Sequence, residues 1–285
     1  MNRRESLAIL GASAIGASTH PSFAKQHKVA VPPTLNTTDP AQLAMIQRKL
    51  AWSMDDSIGY WWLKGMRYGA LPPTYTPFWN MLIGTIFKVR DIDADTYAVT
   101  TITTTFYTNL TTGALLESFN NPVTGKVNKI SYAPPRPAEQ HFNAQGEIHE
   151  GASPPGVTMT RNTAPGPAWV EGDDVWIRSD MALRAVPADP TKRAFQVEDL
   201  STYFGSLRDV ADPMRKAIPA GQVFTDLLNY PGWLEMGDRN GHYFSRCFGR
   251  KVFSAKAMPA QWQQLMSQRY PDLLRDPAAA LKAMG

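Results

Sequence analysis

The residues able to do chemistry are few: five histidines, one cysteine, and carboxylates and arginines spread along 285 positions. After the turn Gly237-Asp238-Arg239-Asn240-Gly241, the residues His242, Phe244 and Arg246 alternate, so on a strand they line one face. Imidazole titrates near neutral pH and a guanidinium fixes an anion. The pair facing a cavity can therefore hold an anionic or phenolic ligand and move a proton on it. The spacing predicts that His242 and Arg246 face the interior with the aromatic residues; the competing reading is an ordinary amphipathic strand after a turn. A second cluster, His141, Glu147, His149 and Glu150, carries metal-ligand donors but matches no compact zinc motif. No metal is expected there, and His149 stands as a further acid–base candidate.

A third constellation is aromatic. Tyr60, Trp61, Trp62, Tyr68, Tyr97, Tyr107, Trp169 and Trp176 are interleaved with Arg67 and Arg178, and Trp233 precedes the glycine-rich turn. Large rings with a few polar handles build ligand pockets as well as cores. The two arginines are more diagnostic, because a cation turned into a barrel needs an anionic partner or ligand. Arg67, Tyr68, Tyr97, Tyr107, Trp176, Arg178 and Trp233 form the expected ligand-binding set.

Several classes of chemistry lack their signatures. No phosphate-cradling Gly-rich loop, dinucleotide turn or Gly-x-Ser-x-Gly elbow is present, and no cofactor is expected. The lone Cys247 cannot form an internal disulfide or a thiolate metal site, and reads as a buried small hydrophobe. Net charge is +4, but the basic residues are scattered rather than striped, which argues against nucleic acid. Two readings follow. The first is a protein that binds a small apolar or aromatic molecule. The second is a cofactor-independent lyase, isomerase or hydrolase acting on such a molecule, with His242 or His149 as acid–base group, Arg246 or Arg67 as anion anchor and a tyrosine as proton donor.

The elements that must position these residues are mainly strands. Asp39-Pro40 starts a helix, a good N-cap followed by a proline at the first helical position, with Leu43, Ile46, Leu50 and Met54 at helical spacing. Strands are expected over 60–69, 78–89 and 96–108, the last dominated by Val, Ile, Thr, Phe and Tyr. Short turns then lead into 114–119 and 126–132, giving an antiparallel meander. The Pro- and Gly-rich stretch 134–167 is either a long loop or a set of short edge strands. Strand character returns over 169–186, 195–204 and 241–256, before helices over 259–270 and, more weakly, 277–284. The expected fold is mainly β, an antiparallel meander closing into a barrel or strongly curved sheet, with an N-terminal helix and C-terminal helices. Closure can leave a ligand cavity between the strands.

The N-terminus carries Arg3-Arg4, an apolar run over 7–17 too short to span a bilayer, and the small-x-small triplet Ser22-Phe23-Ala24. It resembles a twin-arginine signal, with Ser6 where that motif often has Phe, so the general secretory route stays open. Residues 1–24 are expected to be an export signal and 25–285 a single barrel-like domain, periplasmic or secreted after cleavage and without stable membrane insertion. Thr112-Gly113, Asn121-Pro122-x-Thr124-Gly125, Trp233-Leu234-x-Met236-Gly237-Asp238-x-x-Gly241 and Gly249-Arg250-Lys251 resemble a family of exported bacterial proteins, also found in fungi, designated only as a domain of unknown function. The resemblance covers most of the mature chain. It implies a shared fold and export, and carries no catalytic residues with it.

Overall fold

In the computed structural model, the described residues are 34–71, 73–132, 134–149, 156–191, 194–237, 239 and 241–282. The expected export segment lies outside them. The first element is α1 (Pro40–Ala51), whose N-cap Asp39 accepts a hydrogen bond from Ala41 N–H at 3.0 Å. Three long strands follow, β1 (Gly59–Leu71), β2 (Thr74–Asp91) and β3 (Tyr97–Thr108). The short pair β4 (Ser118–Asn120) and β5 (Val127–Lys129) forms a hairpin of its own, outside the main sheet. The chain continues through β6 (Pro137–Phe142), β7 (Ile148–His149), β8 (Val157–Glu171), β9 (Asp174–Pro187) and β10 (Phe195–Ser206). After α2 (Leu207–Ala211) come β11 (Ala220–Asn229), β12 (His242–Val252) and the helices α3 (Ala260–Arg269), α4 (Pro271–Arg275) and α5 (Pro277–Lys282).

Ten strands form one sheet in the order β7-β6-β3-β2-β1-β12-β11-β10-β9-β8, every neighbouring pair antiparallel. The sheet curls through 219° into a half-barrel, the strongly curved alternative rather than a closed barrel. The two sheet edges are linked by a side chain: Ile148 N–H of β7 donates to Thr163 Oγ1 of β8 at 3.1 Å. Within 134–167, the residues from Val157 onward belong to β8, a strand of 15 residues rather than a short edge piece. Strand β11 had no counterpart among the expected strands; its polar residues Gln222 and Asp226 face inward and blur the alternation that marks a strand.

The hollow of the half-barrel is filled from both ends. At one end lies α1, whose Ile46 and Leu50 pack with Trp61 and Phe87 from the middle of the sheet, Phe142 near one edge and Ala168 on the other. The other end is covered by Phe119 of β4, Ile130, and the turn carrying Leu234 and Met236, which pack on Leu63, Trp79, Met81 and Cys247. Asn121 Nδ2 donates to Leu234 O at 3.0 Å and ties that cover together. On the outer surface, the C-terminal helices lay Trp262, Leu265, Met266 and Leu281 against Leu82, Ile86, Ile102 and Phe106. Trp262 sits so close to the sheet that a Cβ on Gly84 would come within 1.9 Å of its Nε1, which explains a glycine in the middle of β2.

Curvature sorts the side chains of β12. The concave side crowds them, and it receives Tyr243, Ser245, Cys247 and Gly249; the convex side fans outward and carries Phe244, Arg246, Phe248 and Arg250. His242 and Arg246 do share a face, but it is the outer one, and Arg246 is exposed. The expectation that they point into the interior is therefore corrected.

Candidate ligand site in the half-barrel

One row of directly opposed residues crosses the concave face. Asp199 of β10 stands opposite Asp226 of β11, Asp226 opposite Ser245 of β12, Ser245 opposite Arg67 of β1, and Arg67 opposite Trp79 of β2. Arg67 is 4% exposed and Asp226 7%. They form a bidentate pair, Nη1 to Oδ1 at 2.6 Å and Nη2 to Oδ2 at 2.9 Å. Asp226 Oδ1 also accepts from Ser245 N–H at 2.7 Å and Ser245 Oγ at 2.6 Å. The guanidinium lies 4.3 Å from the centroid of the Tyr243 ring. A buried charge pair survives desolvation when its geometry is good and its remaining polar atoms are met; here the geometry is bidentate and the carboxylate is met, while Arg67 Nε is buried without a hydrogen-bond partner among the described residues.

Asp199 is different. It is half-buried, and among the described residues no group donates a hydrogen bond to its carboxylate. Burial first, then the neighbouring Asp226, push the pKa of its carboxyl up to about 7, while Arg67 pulls weakly the other way. Arg67 directs both of its terminal nitrogens at Asp226 rather than at Asp199. Two carboxylates thus share one cation.

Asp199 lines a cavity of about 200 Å³ between α1 and the inner faces of β9, β10 and β11, reached also by Phe142 and Ile148 near the sheet edge. Its ring walls are Trp52, Phe142, Tyr203 and Phe224. Its polar groups are organised: Gln222 Nε2 donates to Ser201 Oγ at 3.0 Å and to Tyr203 Oη at 3.3 Å, and Gln47 Nε2 donates to Ser179 Oγ at 2.9 Å. The Gln47 side chain, 5% exposed, keeps a buried Oε1 with no partner among the described residues. Burial pushes the Tyr203 hydroxyl up to about 12, so it stays protonated. Around Arg67, burial likewise raises Tyr107 and takes Tyr243 to about 12. Burial also lifts the Cys247 thiol to about 11, which leaves it an unreactive small hydrophobe.

Two further buried cations among the described residues serve the fold, and the first, Lys49, donates from Nζ to Val210 O at 2.8 Å and to Asp212 O at 2.6 Å. Lys251 Nζ donates to Lys49 O and Trp52 O, each at 2.5 Å, at the C-terminal end of α1 where a positive charge is favoured. Burial holds its ammonium well below the ordinary lysine range.

The expected site residues are divided by the curl. Arg67, Tyr107, Tyr97 and Trp233 are on the inner side. Tyr107 and Trp233 pack against Trp79, with ring centroids at 5.1 and 5.6 Å. Tyr97 stacks on Phe142 at 4.9 Å in the core against α1, a packing role, and burial holds its hydroxyl far above its ordinary value. Tyr68, Trp176, Arg178, His242 and Arg246 lie on the outer face. Tyr68 stacks on Phe244 at 5.0 Å, and the exposed Arg178 pairs with Asp180 on the same side of β9. These outer placements follow from strand parity, since Val175 and Ile177 on either side of Trp176 are fully buried inside. His149 pairs with His141 through the β6–β7 backbone; its side chain, like Glu150, is outside the described residues. His141 Nε2 lies 2.8 Å from Glu139 Oε1, and no group of three or more metal-ligating side chains occurs among the described residues.

Asp199, Asp226, Gln47, Gln222 and Tyr203 were not among the expected site residues. The available signal was an aspartate in the middle of each of two otherwise strand-like runs, Val197-Glu198-Asp199-Leu200 and Phe224-Thr225-Asp226-Leu227. Aspartate is depleted in strands, and one that persists there has a partner or a task.

Fold and site together define an antiparallel half-barrel with a polar-lined cavity in its hollow. Within that class, the chain belongs to the family designated protein of unknown function (DUF1838), whose model matches residues 55–284. No curated protein and no solved structure matches it. No helix among the described residues is long and apolar enough to cross a membrane.

Proposed function

We propose that this protein binds a small, largely apolar or aromatic molecule in the hollow of its half-barrel. The observation that carries this reading is the cavity itself, walled by Trp52, Phe142, Tyr203 and Phe224 and bearing a few convergent polar groups. Rings that provide apolar contact and a small number of fixed polar atoms that orient the ligand are the ordinary composition of a small-molecule site. At about 200 Å³ it suits a ligand smaller than drug size. Native mass spectrometry of the purified protein after incubation with a mixed aromatic and terpenoid metabolite extract tests it. Retention of a discrete small mass, lost in Phe224→Trp where the added ring volume fills the cavity, is the expected result. Equal retention by the filled variant would place binding elsewhere.

A catalytic reading of the same site rests on Asp199. A carboxyl titrating at about 7 gives and takes protons with comparable ease at neutral pH. On this reading Asp199, rather than His242, is the acid–base group of a cofactor-independent lyase, isomerase or hydrolase, with Tyr203 as a neutral hydrogen-bond donor. Chemical change in the retained molecule, abolished by Asp199→Asn, separates the catalyst from the binder.

We infer further that residues 1–24 act as an export signal, supported by Arg3-Arg4, the short apolar run and the exit at Ala24. The mass of the protein recovered from its native host tests this. An intact chain beginning at Met1 and confined to the cytoplasm would refute it.

A further inference from the structure

Resting on the ligand-binding reading above, we propose that the cavity selects a small organic cation, an amine with an aromatic or apolar body whose ammonium group sits against Asp199 and Gln47. Three independent observations converge on that charge and donor pattern.

The first is an imbalance of charge. The charged or titratable groups facing Asp199 are Asp226 and Arg67 along the row and Tyr203 on its own strand; Arg161, on the inner face of β8 opposite Leu183, already has an interaction of its own, and the adjoining inner positions of β9, Ser179 and Met181, and Gln47 of α1 do not titrate. Arg67 and Asp226 match each other's charge in a bidentate pair, so ionising Asp199 leaves the row one positive charge short. A ligand cation supplies the missing charge.

The second is an unmet acceptor. Gln47 lines the same cavity, and its Oε1, beside Gly146, is buried without a partner among the described residues, while its amide nitrogen donates to Ser179 Oγ. A buried acceptor left unpaired costs free energy that an N–H donor from a ligand recovers. Carboxylate and amide oxygen are both acceptors, and an ammonium group, which is donor-only, serves both. The third is the wall chemistry. Aromatic faces attract a cation and accommodate its apolar body. An anionic ligand, by contrast, would face an uncompensated carboxylate.

Three probes sharing one ring and differing in head group test this: benzylamine, benzyl alcohol and benzoate, titrated calorimetrically against the purified protein. Benzylamine is expected to bind roughly tenfold or more tightly than benzyl alcohol, the difference a charged hydrogen bond provides, with benzoate weaker than either. Its affinity is expected to rise roughly tenfold between about pH 5.5 and pH 8 as Asp199 loses its proton, while that of benzyl alcohol stays flat. Asp199→Asn should abolish the amine preference and its pH dependence yet retain benzyl alcohol. Gln47→Leu, which keeps the carboxylate, should weaken benzylamine more than the alcohol. Benzyl alcohol binding as tightly as benzylamine, or benzoate binding best, overturns the cation proposal and leaves the small-molecule reading intact. Binding of none of the three at millimolar concentration overturns both.

Discussion

Replacing Asp199 with Asn should flatten part of the pH dependence of stability, in a direction opposite to that of most carboxylates. A salt-bridged aspartate is more acidic in the folded protein and stabilises it as pH rises. Asp199 is instead raised from 3.8 to about 7, chiefly by burial and secondly by Asp226. Between those values the folded state binds a proton that the unfolded chain has released, so stability falls as pH increases through this window. Its contribution is fully present below about pH 4 and lost above about pH 7. The interval is roughly three pH units at 1.36 kcal/mol each, on the order of 4 kcal/mol of stability given up by the ionised carboxylate. Asparagine occupies nearly the same volume and cannot ionise. Urea unfolding of the wild type and Asp199→Asn, followed by tryptophan fluorescence at a series of pH values from 4 to 8.5, isolates this residue, because every other titrating group is common to both. The two proteins should be about equally stable at the acid end, and the variant should gain several kcal/mol by pH 8.5. Parallel curves across the whole range would show that Asp199 is well solvated and that the cavity does not desolvate it.

The other expectations concern the row and the sheet. Arg67→Met leaves Asp226 buried without its cation and should cost about 3–5 kcal/mol in denaturant unfolding, whereas the double variant Arg67→Met/Asp226→Leu should recover much of that loss. Equal losses in both would assign the destabilisation to packing rather than charge. Gly84→Ala forces a methyl group toward the Trp262 indole and should lower stability by about 1–3 kcal/mol, read as a drop in melting temperature. Arg246→Met, on the exposed outer face of β12, should change stability by less than about 0.5 kcal/mol and leave ligand retention intact; a loss of retention would return the outer face to consideration.

Much of the fold is legible in the sequence because strands and caps leave local signatures. The Asp39-Pro40 start of α1, the β-branched run of β3 and the turn at Asn121-Pro122 can each be read without tertiary information, since a cap, a propensity and a turn depend on residues close in the chain. Strand β11 was harder to recognise. Its alternation runs Gln222, Phe224, Asp226, Leu228 inside against Val223, Thr225, Leu227 outside, so the usual rule of apolar inside and polar outside is weakened by the very residues that make the site.

The sequence by itself determined which residues share a face. Because side chains alternate along a strand, His242 had to lie with Arg246, and Ser245 with Cys247. Only the tertiary structure decided which of those faces is the inside. Both sets on β12 mix polar or charged residues with aromatic ones, so hydrophobicity does not discriminate between them. The curl does: a concave surface has less room per side chain than a convex one, and the set whose middle residues are small, Ser245, Cys247 and Gly249 between Tyr243 and Lys251, occupies it. The meeting of Asp199, Asp226 and Arg67 was beyond sequence reading for a related reason. Asp226 is 159 positions from the arginine it pairs with, and β12 separates their strands in the sheet. Their opposition depends on the register of three consecutive strand pairings, set by the packing of the whole half-barrel rather than by any segment of it.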